Sequence, residues 1–143
     1  MSDDPSQQKV RDAMVSDPVA LAASASAQEA GSALMRPAVR SVLVCSADGE
    51  LVGVVTRKTL VREVVAQGLD PRSTTLGEIA EPPNATIDSE TPLSEAFLFL
   101  EERDYERVPV LAEGKLVGVL SRSVVQRRLA EDEAPPEPPD EAV

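Results

Sequence analysis

Two stretches of the chain, LVGVVTRKTLVREVV (residues 51–65) and LVGVLSRSVVQRRLA (residues 116–130), repeat one pattern 65 positions apart. In each, a valine-rich run with one glycine leads into a hydroxyl residue, a basic residue and apolar residues at helical spacing. This order predicts a buried β-strand followed at once by a helix. An internal repeat of this kind decides the architecture of the whole chain.

The repeat extends toward the N-terminus of both stretches. Residues 26–35 align with residues 92–101 at an offset of 66, and the offset falls to 65 across a tight turn that carries Asp48-Gly49 in one copy and Glu113-Gly114 in the other. Valine-rich runs on both sides of such a turn predict a β-hairpin. In the first copy, Ser26 and Glu29 form an S-x-x-E capping box that predicts the start of the preceding helix.

Each copy therefore predicts the order β-α-β-β-α after a short helical start. A three-stranded sheet with helices on one face leaves apolar surface on the other face, which a second copy can cover. We predict an α/β fold in which two such motifs pack through their sheets with pseudo-twofold symmetry. The expected organisation is a flexible N-terminus (1–7), motif 1 (8–67), a linker (68–74), motif 2 (75–130) and a disordered acidic, proline-rich tail (131–143).

The net charge of −11 is concentrated at the ends of the chain. Residues 131–143 contain six acids, and Asp3 and Asp4 add two; without these eight, 17 acids face 14 bases, a net charge of −3. The chain has no basic stripe interleaved with aromatic residues, which argues against nucleic-acid binding. It also has no charged leader and no apolar run of about 18 residues, so we expect a cytoplasmic protein without membrane contact.

An enzymatic function is disfavoured by the residue types present. The chain has no histidine, the usual acid or base at neutral pH and the usual zinc ligand. Glu101 and Glu102 are adjacent on a predicted helix and point in different directions, and Glu81 precedes two prolines with no partner visible in the sequence. We predict no catalytic residue and no metal site.

The two copies, with YERVPVLAEGK ahead of the second, resemble a tandem of cystathionine-β-synthase (CBS) domains, together called a Bateman module, over residues 8–130. The resemblance implies a disc with two clefts, no required cofactor and no catalysis. It further implies a homodimer that binds AMP, ADP, ATP or S-adenosylmethionine and signals to a regulated partner protein.

The ligand signature of this family is G-h-x-[ST]-x-x-D. In it, hydroxyl and N–H groups at the start of a helix favour phosphate, and the aspartate accepts hydrogen bonds from the ribose hydroxyls. The hydroxyls are present here as Thr56 and Ser121, whereas Thr59 and Val124 replace the aspartate. Hydrogen bonds to charged groups contribute ~1.5–3 kcal/mol, against ~0.5–1.5 kcal/mol for neutral ones. Because Thr59 retains a hydroxyl, we expect the first site to bind better than the second.

The resemblance also implies ligand contacts from the residues before the second strand of each copy, with Arg40-Ser41-Val42 matched to Arg107-Val108-Pro109. The basic residues have an alternative role as solvated side chains or as partners of acids such as Glu106. The candidate ligand residues are Thr56, Arg57, Lys58, Thr59, Arg40, Val42, Ser121, Arg122, Arg107 and Val108.

Two functions remain open from the sequence. The first is a stand-alone regulatory module that binds an adenine nucleotide (AMP, ADP or ATP) or another phosphorylated metabolite between its motifs. The alternative is a ligand-free dimerisation or protein-interaction module whose nucleotide sites have degenerated, as the two missing aspartates suggest.

Overall fold

The computed structural model describes residues 8–16 and 18–133, with side chains described to Glu131. The predicted flexible N-terminus (1–7) and most of the predicted tail (134–143) lie outside the described residues. The elements in chain order are α1 (Val10–Ala13), β1 (Ala20–Ala22), α2 (Ala27–Ala33), β2 (Val42–Cys45), β3 (Leu51–Val55), α3 (Arg57–Leu60) continued by a π-helical segment (Val61–Val65), α4 (Leu76–Ile79), β4 (Ile87–Asp88), α5 (Leu93–Arg103), β5 (Arg107–Ala112), β6 (Lys115–Ser121) and α6 (Arg122–Glu133).

The described strands form two three-stranded sheets of identical topology. In the first sheet β1 runs parallel to β2, which pairs antiparallel with β3, and β4, β5 and β6 repeat this arrangement. Gly49 and Gly114 adopt positive φ angles of 88° and 83° in the two hairpin turns, where a residue with a Cβ would be strained. The predicted α/β fold class with two equivalent motifs is confirmed.

Each sheet buries an aliphatic core on the face that its helices cover. We call the part of the fold built on β1–β3 the first half and the part built on β4–β6 the second half. Ser26 starts α2 through the predicted capping box, because its hydroxyl accepts from the Glu29 amide while the Glu29 carboxylate accepts from the Ser26 amide. The fully buried side chains of the two cores include Val42, Val44, Val55 and Leu76 in the first half, and Val10, Leu93, Leu100, Val108, Val110, Leu120 and Val125 in the second.

The two short helices α1 and α4 are exchanged between the halves. Val10 of α1 lies in the core of the second half, and its amide donates to the Thr91 carbonyl at 2.9 Å. Leu76 of α4 lies in the core of the first half, and its amide donates to the Ala25 carbonyl at 2.8 Å. Each core therefore contains a helix encoded at the start of the other copy, so packing crosses the boundaries assigned from the sequence.

Chain segments that follow the exchanged helices pair with the last strand of the sheet they join. Val15, after α1, exchanges two backbone hydrogen bonds with Val119 of β6, at 2.9 and 3.0 Å. Glu81, after α4, exchanges two with Val54 of β3, at 2.8 and 2.9 Å. The two crossings are equivalent by the repeat, because Val54 and Val119 occupy the same place in LVGV.

The helices that follow β3 and β6 differ in part from the predicted pattern. The apolar residues at helical spacing after Thr56 predict a buried stripe, but two of them, Val61 and Val65, are 59% and 71% exposed. The backbone of α6 continues to Glu133, three residues into the predicted tail, because nothing before Pro135 disfavours helix. None of the helices in the described part of the chain is long and apolar enough to cross a bilayer.

Candidate functional site

A cavity of about 740 Å³ lies between the two halves. Residues of β2 and β3 that point away from the first core line one side, and the corresponding residues of β5 and β6 line the other. This volume is within the range of about 300–1,000 Å³ that is typical of small-molecule sites. The lining residues include Val15, Val19, Arg40, Ser41, Leu43, Val54, Thr56, Glu81, Asn84, Tyr105, Arg107, Val108, Pro109, Val119, Ser121, Ser123 and Val124.

Five of the ten candidate residues border this cavity, namely Arg40, Thr56, Arg107, Val108 and Ser121. The side chain of Val108 lies in the core of the second half. The other five candidates do not line the cavity, although Thr59 is one contact removed from it. Val42 is fully buried in the first core, and the lining does not include Arg57, Lys58, Thr59 or Arg122.

Thr56 and Thr59 form a reciprocal cap at the start of α3. The Thr56 hydroxyl accepts from the Thr59 amide at 3.2 Å, and the Thr59 hydroxyl oxygen accepts from the Thr56 amide at 3.0 Å. Both hydroxyls are thus used for capping. Thr59 is fully buried, so it cannot contact a ligand directly in this conformation.

Glu81 is a lining residue that the sequence did not identify as part of a site. Its carboxylate accepts from the Thr59 hydroxyl at 2.6 Å and from the guanidinium of Arg62. The hydrogen bond from Thr59 is the main cause that lowers the pKa of Glu81; partial burial opposes the shift and the charge of Arg62 adds to it. No partner of Glu81 is visible in the sequence because its partners lie about 20 residues earlier in the chain, and only the exchange of α4 brings them together.

Arg57 and Arg122 occupy equivalent positions but are held away from the cavity by different partners. The guanidinium of Arg57 donates to the carbonyls of Leu34 and Arg36, at 2.6 and 2.9 Å, at the C-terminal end of α2. Arg122 donates to Asp104 at 3.1 Å and to Glu106. Both arginines are therefore engaged within the protein.

Arg40 and Arg107 are the cations that border the cavity without a described partner. Both are exposed, and neither forms an ion pair or a hydrogen bond with a side chain in residues 8–16 or 18–131. They are not equivalent by the repeat, however. Val42 pairs with Val55 and Val108 with Leu120, so the strand register matches Ser41, and not Arg40, to Arg107. This register agrees with the offset of 66 that the sequence shows before the hairpin turn, so the match of Arg40 to Arg107 is one residue out.

The second half presents a different surface to the cavity. Ser121 and Ser123 hydrogen-bond to each other at 3.0 Å, and Val124 lines the wall beside them. Val15 takes the place that Glu81 takes in the first half. The polar side chains here are neutral, apart from Arg107.

The family model described as the CBS domain matches the chain twice, at residues 10–66 and 76–131. Hypoxic response protein 1 of Mycobacterium tuberculosis is 34% identical over 88 residues, which is 62% of this chain and 62% of that protein's length. The chain thus spans less than two thirds of this relative's length.

Two solved structures share the fold. The crystal structure of Hypoxic Response Protein I with two coordinated zinc ions has a TM-score of 0.70 and 27% identity, covering 84% of this chain and 98% of that one. The structure of CBSX2 in complex with AMP has a TM-score of 0.67 and 25% identity, covering 86% and 96%. In the described part of this chain, no three His, Cys, Asp or Glu residues are grouped as a metal site would require.

Proposed function

The chain belongs to the CBS domain family, and we propose that it is a regulatory module that binds an adenine nucleotide, AMP, ADP or ATP, in the cavity between its halves. CBS-pair domains are typically regulatory and non-catalytic. The occupancy of the cavity would be read by a partner protein.

The observation that carries this proposal is the cavity itself, whose walls carry two arginines without a described side-chain partner and hydroxyl residues that include Thr56 and Ser121. Arg40 and Arg107 can pair with phosphate, and Thr56 and Ser121 lie at the starts of α3 and α6. The apolar lining from β2, β3, β5 and β6 suits a purine ring. The bound AMP of CBSX2 supports the same ligand class here.

Isothermal titration with AMP, ADP and ATP tests the proposal. We expect saturable binding by the wild-type protein. The double variant Arg40→Ala/Arg107→Ala should lose at least about tenfold in affinity, since each substitution removes a charge-assisted hydrogen bond to the phosphate. Arg127→Ala is the matched control, because Arg127 is an exposed arginine outside the cavity. Absence of binding by the wild-type protein to all three nucleotides would refute the proposal.

We further propose that the protein is a homodimer that buries the outer face of α2 and the π-helical segment. This face carries a groove of about 390 Å³, and its apolar side chains Met35, Val65 and Leu69 are 81%, 71% and 47% exposed. Exposed apolar groups of this kind mark interaction surfaces when they cluster. Light scattering should find a dimer for the wild type and a monomer for Val65→Glu, whereas Val52→Glu, an exposed valine outside the groove, should remain dimeric.

The ligand-free interaction module stays a second candidate because two of the basic candidate ligand residues are already engaged. Arg57 binds backbone carbonyls and Arg122 binds Asp104 and Glu106, so neither is free for phosphate in this conformation. This candidate predicts a dimer whose stability does not respond to any of the three nucleotides.

A further inference from the structure

The two ends of the cavity differ at one pair of equivalent positions. Glu81 and Val15 make the same backbone pairing with the last strand of their sheet, and both line the cavity. Glu81 brings a carboxylate to the wall, whereas Val15 brings an aliphatic group. The cavity is therefore chemically asymmetric although the fold around it is repeated.

The carboxylate of Glu81 is held in a fixed position, but not all of its hydrogen-bond acceptor positions are occupied. One oxygen accepts from the hydroxyl of Thr59 at 2.6 Å, and the other accepts from Arg62. Thr59 is fully buried and is held in turn by the amide of Thr56. A carboxylate has about four acceptor positions. Its side chain is 42% exposed, so acceptor positions remain for a group in the cavity.

An ionised carboxylate only accepts hydrogen bonds and repels phosphate. The donors of an adenine nucleotide are the two ribose hydroxyls and the adenine amino group. The adjacent 2′- and 3′-hydroxyls can both donate hydrogen bonds to one carboxylate. The two N–H bonds of the adenine amino group point apart in the plane of the ring, so only one of them can donate to a given carboxylate. The remaining cavity charges, Arg40 and Arg107, are the ones that attract phosphate.

We propose that Glu81 is a specificity-determining residue that accepts hydrogen bonds from the ribose 2′- and 3′-hydroxyls, while the phosphates face the arginines. This inference rests on the proposed nucleotide binding and gives the ligand one orientation. Because Val15 offers no acceptor at the equivalent position, one nucleotide binds per chain.

The test compares AMP with 2′,3′-dideoxy-AMP by isothermal titration. Wild-type protein is expected to bind AMP at least about tenfold more tightly, at one site per chain, since charge-assisted hydrogen bonds are lost in the dideoxy compound. In Glu81→Gln this preference falls several-fold while affinity for the dideoxy compound stays within about twofold. Glu102→Gln, an exposed acid outside the cavity, keeps the wild-type preference.

Two further measurements separate the outcomes. Arg62→Ala keeps the Glu81 carboxylate but removes one of its hydrogen-bond partners. Its preference for AMP over the dideoxy compound is therefore expected to lie between those of the wild type and Glu81→Gln. Inosine monophosphate, which lacks the amino group, should bind like AMP; strong discrimination against it would overturn the assignment to ribose. Tight AMP binding with no preference over the dideoxy compound refutes the role of Glu81 alone, whereas no AMP binding at all refutes the proposed function with it.

Discussion

The carbonyl oxygen of Glu81 lies 2.7 Å from the point where a Cβ atom on Gly53 would stand. The segment after α4 therefore crosses β3 at the residue of that strand that has no side chain. Gly118 has the same relationship with the carbonyl oxygen of Val15, at 2.6 Å. The glycine that recurs in both copies of LVGV is thus required by the exchange of α1 and α4 between the halves.

Gly53→Ala and Gly118→Ala should each lower the free energy of unfolding by about 1–3 kcal/mol, because the added methyl group meets a backbone oxygen that a side-chain movement cannot clear. Urea denaturation measures the change. Gly31→Ala is the matched control, since its Cβ would have no described neighbour nearer than Leu60 Cδ1 at 3.8 Å. We expect that variant to be unchanged or up to about 1 kcal/mol more stable, because alanine favours helix.

Leu76→Ala should destabilise both halves together. Leu76 is fully buried in the first core, and its truncation is expected to lower the free energy of unfolding by about 2–5 kcal/mol. The only tyrosine, Tyr105, packs against the second core, and the chain has no tryptophan, so its fluorescence reports on the second half.

The tyrosine transition and the circular-dichroism transition should shift equally in this variant, because the exchanged helices couple the cores. A tyrosine transition that stays at the wild-type midpoint would show that the halves unfold independently. Leu98→Ala, at a side chain of α5 that is 56% exposed and lies outside the groove, should leave both transitions in place.

The hydrogen bond from the Thr59 hydroxyl to the Glu81 carboxylate should make the free energy of unfolding depend on pH in the acid range. The pKa of Glu81 is lowered in the folded state, mainly by the hydrogen bond from Thr59, so the folded protein takes up this proton at a lower pH than the unfolded chain. Its contribution is complete above the unfolded-state pKa and is lost as the pH falls through the folded value.

Urea midpoints of wild type and Glu81→Gln should therefore differ most near pH 7 and converge toward pH 3. In the background of Thr59→Val, the effect of Glu81→Gln should shrink, since the two residues are coupled. A difference between wild type and Glu81→Gln that stays constant over this pH range would contradict the account.

Arg57→Ala should affect stability more than ligand affinity. Its guanidinium donates to two carbonyls at the end of α2, so its loss is expected to lower the free energy of unfolding by about 1–3 kcal/mol. Lys58→Ala, a neighbouring exposed cation with no described hydrogen bond, should be nearly neutral. A loss of nucleotide affinity as large as that of Arg40→Ala/Arg107→Ala would place Arg57 at the ligand.

The features that the sequence predicted well depend on neighbouring residues. The hairpin turns at Gly49 and Gly114 and the capping box of Ser26 and Glu29 follow from local geometry, and all are present in the structure. Thr56 and Ser121 border the cavity, and both stand where a strand gives way to a helix; their role toward a ligand stays a prediction.

The features that the sequence did not predict depend on which segment packs against which sheet. The helical pattern of residues 10–14 is the same whether α1 joins its own copy or the other one, so the exchange leaves no periodic signal. Glu81 entered the site only through that exchange. The equivalence of Ser41 and Arg107 is a different case, because the offset of 66 that holds before the hairpin turn already gives it.

The exchange of α1 and α4 also decides what a single copy can do alone. A chain cut between residues 66 and 75 would yield two pieces, each carrying a helix that fits only the other piece. Each fragment alone would expose the apolar surface that the exchanged helix of the other fragment covers. The two fragments should therefore be recovered from co-expression as an associated pair. The duplication in this chain is consequently irreversible: neither repeat can be discarded without leaving the survivor incomplete.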